Sequence, residues 1–96
     1  MRKYEVMYII RSDIEQEAID ATVEKVQGII TGGNGEVTKN EVLGKRRLAY
    51  EIKKFRDGIY VVVNFTAGPE VVKELDRLLK ISDEIIRHII VQDVVA

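Results

Sequence analysis

The first residues of the chain alternate. In "RKYEVMYII" (2–10), Tyr4, Val6, Tyr8 and Ile10 share one side and Lys3, Glu5, Met7 and Ile9 the other. A period of two with one strongly apolar side predicts a strand. The period then lengthens: Ile19, Val23, Val26 and Ile30 recur at steps of three and four, which lays one apolar stripe along a helix. Ser12 with Glu15 three residues on predicts a capping box at its start. Gly28 weakens the helix from within. "GGNG" (32–35) ends it, because Gly and Asn accept the left-handed conformation after a helix.

"EVTKNEVLGKRRLAYEIKK" (36–54) reads as a long strand, with a bulge or bend expected at Gly44. "RDG" (56–58) is a turn signal, so "IYVVVNFTA" (59–67) is expected to return as a hairpin. "GPEVVKELDRLLKI" puts Pro69 at a first helical position with Glu70 behind it. Val72, Leu75 and Leu79 form its stripe, widened by Val71 and Leu78. "IIRHIIVQDVV" (85–95) is rich in β-branched residues and predicts a last strand.

The order is βαββαβ, an α+β pattern. Two helices with one stripe each are best buried on one face of a four-stranded antiparallel sheet, the ferredoxin-like arrangement. Right-handed crossovers put the first and third strands in the centre. Residues 1–96 are expected to form a single domain, with the other sheet face left bare.

Composition narrows the chemistry. An apolar share of 46% with 32% charged residues fits a folded chain, and the lack of Cys excludes disulfides and thiolate metal sites. The opening "MRKYEVMYII" is broken by Glu5 and followed by Arg11, so neither a signal peptide nor a membrane span is expected. An intracellular, cytoplasmic protein follows as the expectation.

The formal charge of −1 hides an uneven distribution. Residues 45–56 hold Lys45, Arg46, Arg47, Lys53, Lys54 and Arg56 against Glu51 alone, a net +5 that leaves −6 elsewhere. Such a hairpin can follow a phosphate backbone and release counterions, with Arg adding bidentate contacts. The same residue types also protect sheet edges from aggregation. If Leu48, Tyr50 and Ile52 face the helices, Arg47, Ala49, Glu51 and Lys53 face the bare side. Lys45, Arg46, Lys54 and Arg56 then lie near the bend and the turn. Arg2, Lys3 and Arg87 are expected to extend this into a basic rim.

The bare face itself is expected to be apolar. Alternation sends Met7, Ile9, Tyr60, Val62, Ile89 and Val91 outward, and a patch of that kind marks a protein interface or self-association. Tyr60 is the only aromatic that this reading places well on that face, which argues against base stacking of the kind RNA-binding sheets use.

Catalytic constellations are missing from the pattern. His88, the sole histidine, sits in an apolar strand with no acid beside it in sequence, and is expected to be a packed or edge histidine, not a base or ligand. Glu15, Glu17, Asp20 and Glu24 read as a solvated helix face without metal-ligand spacing. "GGNG" follows a helix and lacks the Lys-Ser/Thr ending of a phosphate loop. An acyl-phosphate hydrolase of this fold needs a Gly loop before the first helix, where this chain has Arg11 but no glycine. No enzyme, cofactor or metal is expected.

"MRKYEVMYII", "LGKRRLAYEIKK" with "DGIYVVVNF", and "RLLKISDEIIRHIIV" together resemble the bacterial small-subunit ribosomal protein family conventionally numbered six. "RRLAY" (46–50) is the most specific block. The resemblance implies a ferredoxin-like fold and a structural role. It also implies binding to the central domain of small-subunit ribosomal RNA together with the ribosomal protein numbered eighteen. The positions it carries over are Arg2, Tyr4, Arg46, Arg47, Tyr50 and Arg87. Some relatives have a longer acidic C-terminal tail, whereas this chain stops at Ala96 after a single Asp93. The free chain is expected to be monomeric. The alternative reading is a ferredoxin-like regulatory or self-associating module that uses the bare face.

Overall fold

A computed structural model describes residues 2–52 and 54–92. The elements are β1 (Arg2–Ile10), α1 (Gln16–Gly32), β2 (Glu36–Ile52), β3 (Phe55–Ala67), α2 (Pro69–Ile81) and β4 (Ile85–Gln92). Pairing is antiparallel throughout and the sheet order is β2-β3-β1-β4, so the first and third strands are central as expected. The fold is the βαββαβ ferredoxin-like one. Residues 93–95, which the sequence assigns to the last strand, lie outside the described residues.

The core follows the alternation. Val6, Tyr8 and Ile10 of β1 and Val61, Val63, Phe65 and Ala67 of β3 meet Ile19, Val26 and Ile30 of α1 and Val71, Leu75 and Leu79 of α2. Tyr4 stacks on Phe65 at 5.6 Å between centroids. Removing these side chains from water is the main favourable contribution to folding.

Local signals are met in part. Pro69 opens α2, and past the end of α1 Asn34 takes φ 65 while Gly35 N donates to Ile30 O at 2.8 Å. The capping box does not form. Glu15 is the N-cap of α1, without a side-chain cap, because the Ser12 hydroxyl donates instead to Asp57 Oδ1 at 2.5 Å.

The second and third strands depart most from expectation. "RDG" is not the turn: the chain reverses between Ile52 and Phe55, with Lys54 at φ 70. Arg56, Asp57 and Gly58 belong to β3, with Gly58 opposite Arg46 and Asp57 opposite Arg47. Gly58 is glycine because of close approach: a Cβ there would collide with the Ile9 side chain and lie 3.3 Å from Ile10 O. Gly44 does mark a bulge, with φ 90 and a register shift between Val42 and Gly44. A larger irregularity follows, since Leu48 to Glu51 occupy the space between the Arg47–Asp57 and Ile52–Phe55 pairs, opposite Arg56 alone.

Those irregularities overturn the facing of the basic strand. Val42 pairs with the core residue Val61, but after the bulge Gly44 pairs with the outward Tyr60. One inserted residue reverses every side chain that follows. Leu48 therefore turns away from the helices and joins Ile9 and Ile86 in a second cluster, with Ile52, Phe55 and Tyr60 packed against it. Arg47, expected on the bare face, shares the helix side with its partner Asp57. The end of the β2–β3 hairpin thus folds over part of the sheet face that the helices leave open.

Candidate functional site

Both sides of the hairpin end are held. On the helix side, Asp57 accepts from Ser12 and lies 3.6 Å from Lys45 Nζ. The Arg11 guanidinium sits 5.0 Å from the Phe55 ring centroid and is fixed by two hydrogen bonds to Asp13, at 2.7 and 2.9 Å. Arg11 thereby holds the Asp13 carboxyl below its usual range. On the outer side, Arg87 of β4 donates to the Tyr50 hydroxyl of β2 at 2.9 Å. β2 and β4 are opposite edges of the sheet, so this bond spans its outer face.

Two neighbouring concavities result. The first, of ≈ 580 Å³, is lined by Lys45, Arg46, Arg47, Leu48, Glu51, Arg56 and Asp57. The extra residues of β2 opposite Arg56 shape it. Among the described residues Arg46, Arg47 and Arg56 make no ion pair; Lys45 is the one held by Asp57. Exposed guanidiniums gathered in this way suit phosphate oxygens. The second, of ≈ 190 Å³, is an apolar socket that includes Met7, Ile9, Leu48, Tyr50, Tyr60 and Ile89, with Arg87 beside them.

The residues expected to bind RNA do not form one rim. Lys45, Arg46, Arg47 and Arg56 come together, and exposed Lys54 stands at the hairpin end. Lys53 lies outside the described residues. Arg2 and Lys3 are at the other end of β1, paired with Ala67 and Thr66, and Arg2 lies 3.5 Å from Gln92. Lys3 lies six steps along the strand from Ile9, the partner of Arg87, which is roughly 20 Å. Arg87 is exposed but occupied by Tyr50.

The expected interface residues share the outer face by register: Ile9 pairs with Tyr60, Met7 with Val62 and Ile89, and Val91 with Glu5. Ile89 and Val91 are 43% and 48% exposed, while Met7, Tyr60 and Val62 are half-buried. Ile9 is only 6% exposed, because Leu48 and Ile86 cover it, so it offers little surface in the free chain.

Tyr50, one of the positions the family resemblance carries over, is misplaced by the strand pattern. Simple alternation assigns it to the core, yet it is 64% exposed and stands on the outer face. The signal that finds it is the bulge at Gly44, once its reversal of parity is counted. His88 faces the helices as expected, and an acid distant in sequence meets it: its Nε2 is 2.7 Å from Asp76 Oδ1 on α2. Among the described residues no group of three or more His, Asp or Glu converges as a metal site, and no helix is long and apolar enough to cross a membrane.

Comparison with known proteins finds relatives over nearly the whole chain. The family model described as Ribosomal protein S6 matches residues 3–92. The small ribosomal subunit protein bS6 of Carboxydothermus hydrogenoformans is 50% identical over 93 residues, covering 97% of each chain. That of Exiguobacterium sibiricum is 53% identical over 93 residues, covering 97% of this chain and 98% of its own. The crystal structure of 30S ribosomal protein S6 from Thermotoga maritima superposes with a TM-score of 0.91 at 36% identity, covering 96% of this chain and 87% of that one.

Proposed function

This chain belongs to the ribosomal protein S6 family, and on that premise we propose that it is a structural, non-enzymatic component of the small ribosomal subunit. In this reading it binds the central domain of the small-subunit ribosomal RNA together with the ribosomal protein numbered eighteen. The basic concavity at the hairpin end carries the proposal. Arg46, Arg47 and Arg56 converge there without ion-pair partners among the described residues, in a chain whose formal charge is −1. Cations collected at one place on an otherwise acidic protein favour a polyanion at that place.

The exposed apolar residues of the outer face, Ile89 and Val91 with half-buried Met7 and Val62, support a protein partner beside the RNA. A small basic site on an acidic chain gives weak binding to RNA alone. Binding tightens when a partner adds positive surface. The test is charge reversal: Arg46, Arg47 and Arg56 changed to Glu together, with assembly measured against the partner and a central-domain RNA fragment over a range of salt. Affinity is expected to fall and the salt slope to shrink by roughly one for each phosphate no longer neutralised. An unchanged slope would remove this stretch from the RNA interface. The exposed Ile89 and Val91 also allow a self-associating module; sedimentation of the free chain is expected to show a monomer, and a stable dimer would favour that reading instead.

A further inference from the structure

Turning Tyr50 outward changes what the sheet face can hold. It now stands with Tyr60 in one socket, over a floor that includes Met7, Ile9 and Ile89, with Arg87 hydrogen-bonded to its hydroxyl. We propose that this socket takes one unstacked nucleobase of RNA, while the adjoining basic concavity holds phosphate. The proposal rests on the RNA-binding reading above and extends it from charge to base contact.

Contiguity carries the inference. Leu48 lines both concavities, so an apolar, aromatic site and a cationic site share a wall. A nucleotide has that same division, with a flat π-surface at one end and an anion at the other. Tyrosine rings and an arginine plane are the side chains on which single bases stack. A protein side chain would also fill ≈ 190 Å³ of apolar space, but it would leave the adjacent Arg46, Arg47 and Arg56 unmatched. A paired duplex satisfies the cations yet keeps its bases stacked, so the socket selects unpaired RNA. This takes Met7 and Ile89 out of the partner surface named above: the base lies at the hairpin end and the protein partner farther along, at Val62 and Val91.

The test uses the full chain at low salt with two probes, a short oligouridine and a perfectly paired RNA duplex of equal length. Tyr50→Ala is expected to weaken oligouridine binding roughly tenfold and to leave duplex binding unchanged. Tyr50→Phe keeps the ring and is expected to retain oligouridine affinity. Tyr50 is 64% exposed, so its truncation does not threaten the fold. Equal losses on both probes, or no loss on oligouridine, would overturn the proposal. So would unchanged oligouridine affinity with weakened binding of the protein numbered eighteen, which would make the socket a protein site. A double change of Arg46 and Arg56 to Gln separates the two readings, because it is expected to weaken both probes. If it weakens neither, the RNA reading fails at its root; if it weakens both while Tyr50→Ala does nothing, only the base socket falls.

Discussion

The two faces of the sheet are made by the same strands but buried by different means. Helices seal one face, where Val6, Tyr8, Val61 and Val63 have no exposure and Phe65 has 1%. The other is closed only at one end, by the chain's own hairpin laid over Ile9. A helix covers a sheet with a long stripe and many partners, whereas a folded-over strand covers it with a few residues. The first face is therefore the stability of the molecule. The second is a surface with a shaped end, free to meet other molecules.

Paired truncations test that contrast most strongly. Leu75→Ala, in the helix-side core at 0% exposure, is expected to cost about 4 kcal/mol, near the upper part of the range for buried leucines. Leu48→Ala, in the small outer cluster at 7% exposure, is expected to cost about 2 kcal/mol, because the hairpin can settle into part of the space. Urea unfolding of both variants measures the difference. Equal costs would mean that the hairpin end is as much a part of the core as α2 is.

A smaller effect, of opposite sign, comes from inside the sealed face. The Tyr8 hydroxyl is buried and has no hydrogen-bond partner among the described residues, and burial pushes its ionisation well above the usual range. An unpaired buried hydroxyl costs free energy that phenylalanine would not. Tyr8→Phe is thus expected to stabilise by about 1 kcal/mol, read as a higher urea midpoint at unchanged slope. A loss of stability would show that the hydroxyl has a partner in solution.

The sealed face is legible in the sequence because its elements have one period each. Alternation in β1 and β3 and the stripes of α1 and α2 put Val6, Phe65, Val26 and Leu75 where the structure has them. The outer face is legible only as far as its strands stay in register. Alternation places Met7, Val62 and Ile89 well, but misplaces Leu48, Tyr50 and Arg47, since each lies beyond the shift at Gly44. Apolar residues on an alternating strand say that one side is buried without saying by what. In β2 the burying surface is the outer face itself. The glycine in "RDG" misleads for a related reason: turns and close approaches both need a missing Cβ, and only packing against Ile9 distinguishes them.

The smallest expected effect uses two neighbours that point to opposite faces. Arg87 reaches Tyr50 across the outer side, while His88 meets Asp76 on the helix side, where Lys80 Nζ is also 3.1 Å from the same carboxylate. Hydrogen bonds from His88 and then Lys80 hold the Asp76 carboxyl below its ordinary 3.8. A depressed folded value means that the unfolded chain binds the proton more readily. The contribution is therefore complete above 3.8 and is lost as pH falls through the lower folded value. Asp76 is partly exposed, so solvent screening limits the contribution to less than about 1 kcal/mol. In Asp76→Asn, the fall of stability on acidification is expected to become shallower, as followed by urea midpoints at a series of acidic pH values. It should not vanish, because Arg11 and Arg77 hold Asp13 and Glu74 down in the same way. The variant is also expected to bind oligouridine as the parent does, since β4 sends alternate side chains to separate faces. If weakening Asp76 altered that binding, the strand would be transmitting between the faces, and the sealed side could no longer be treated as support alone.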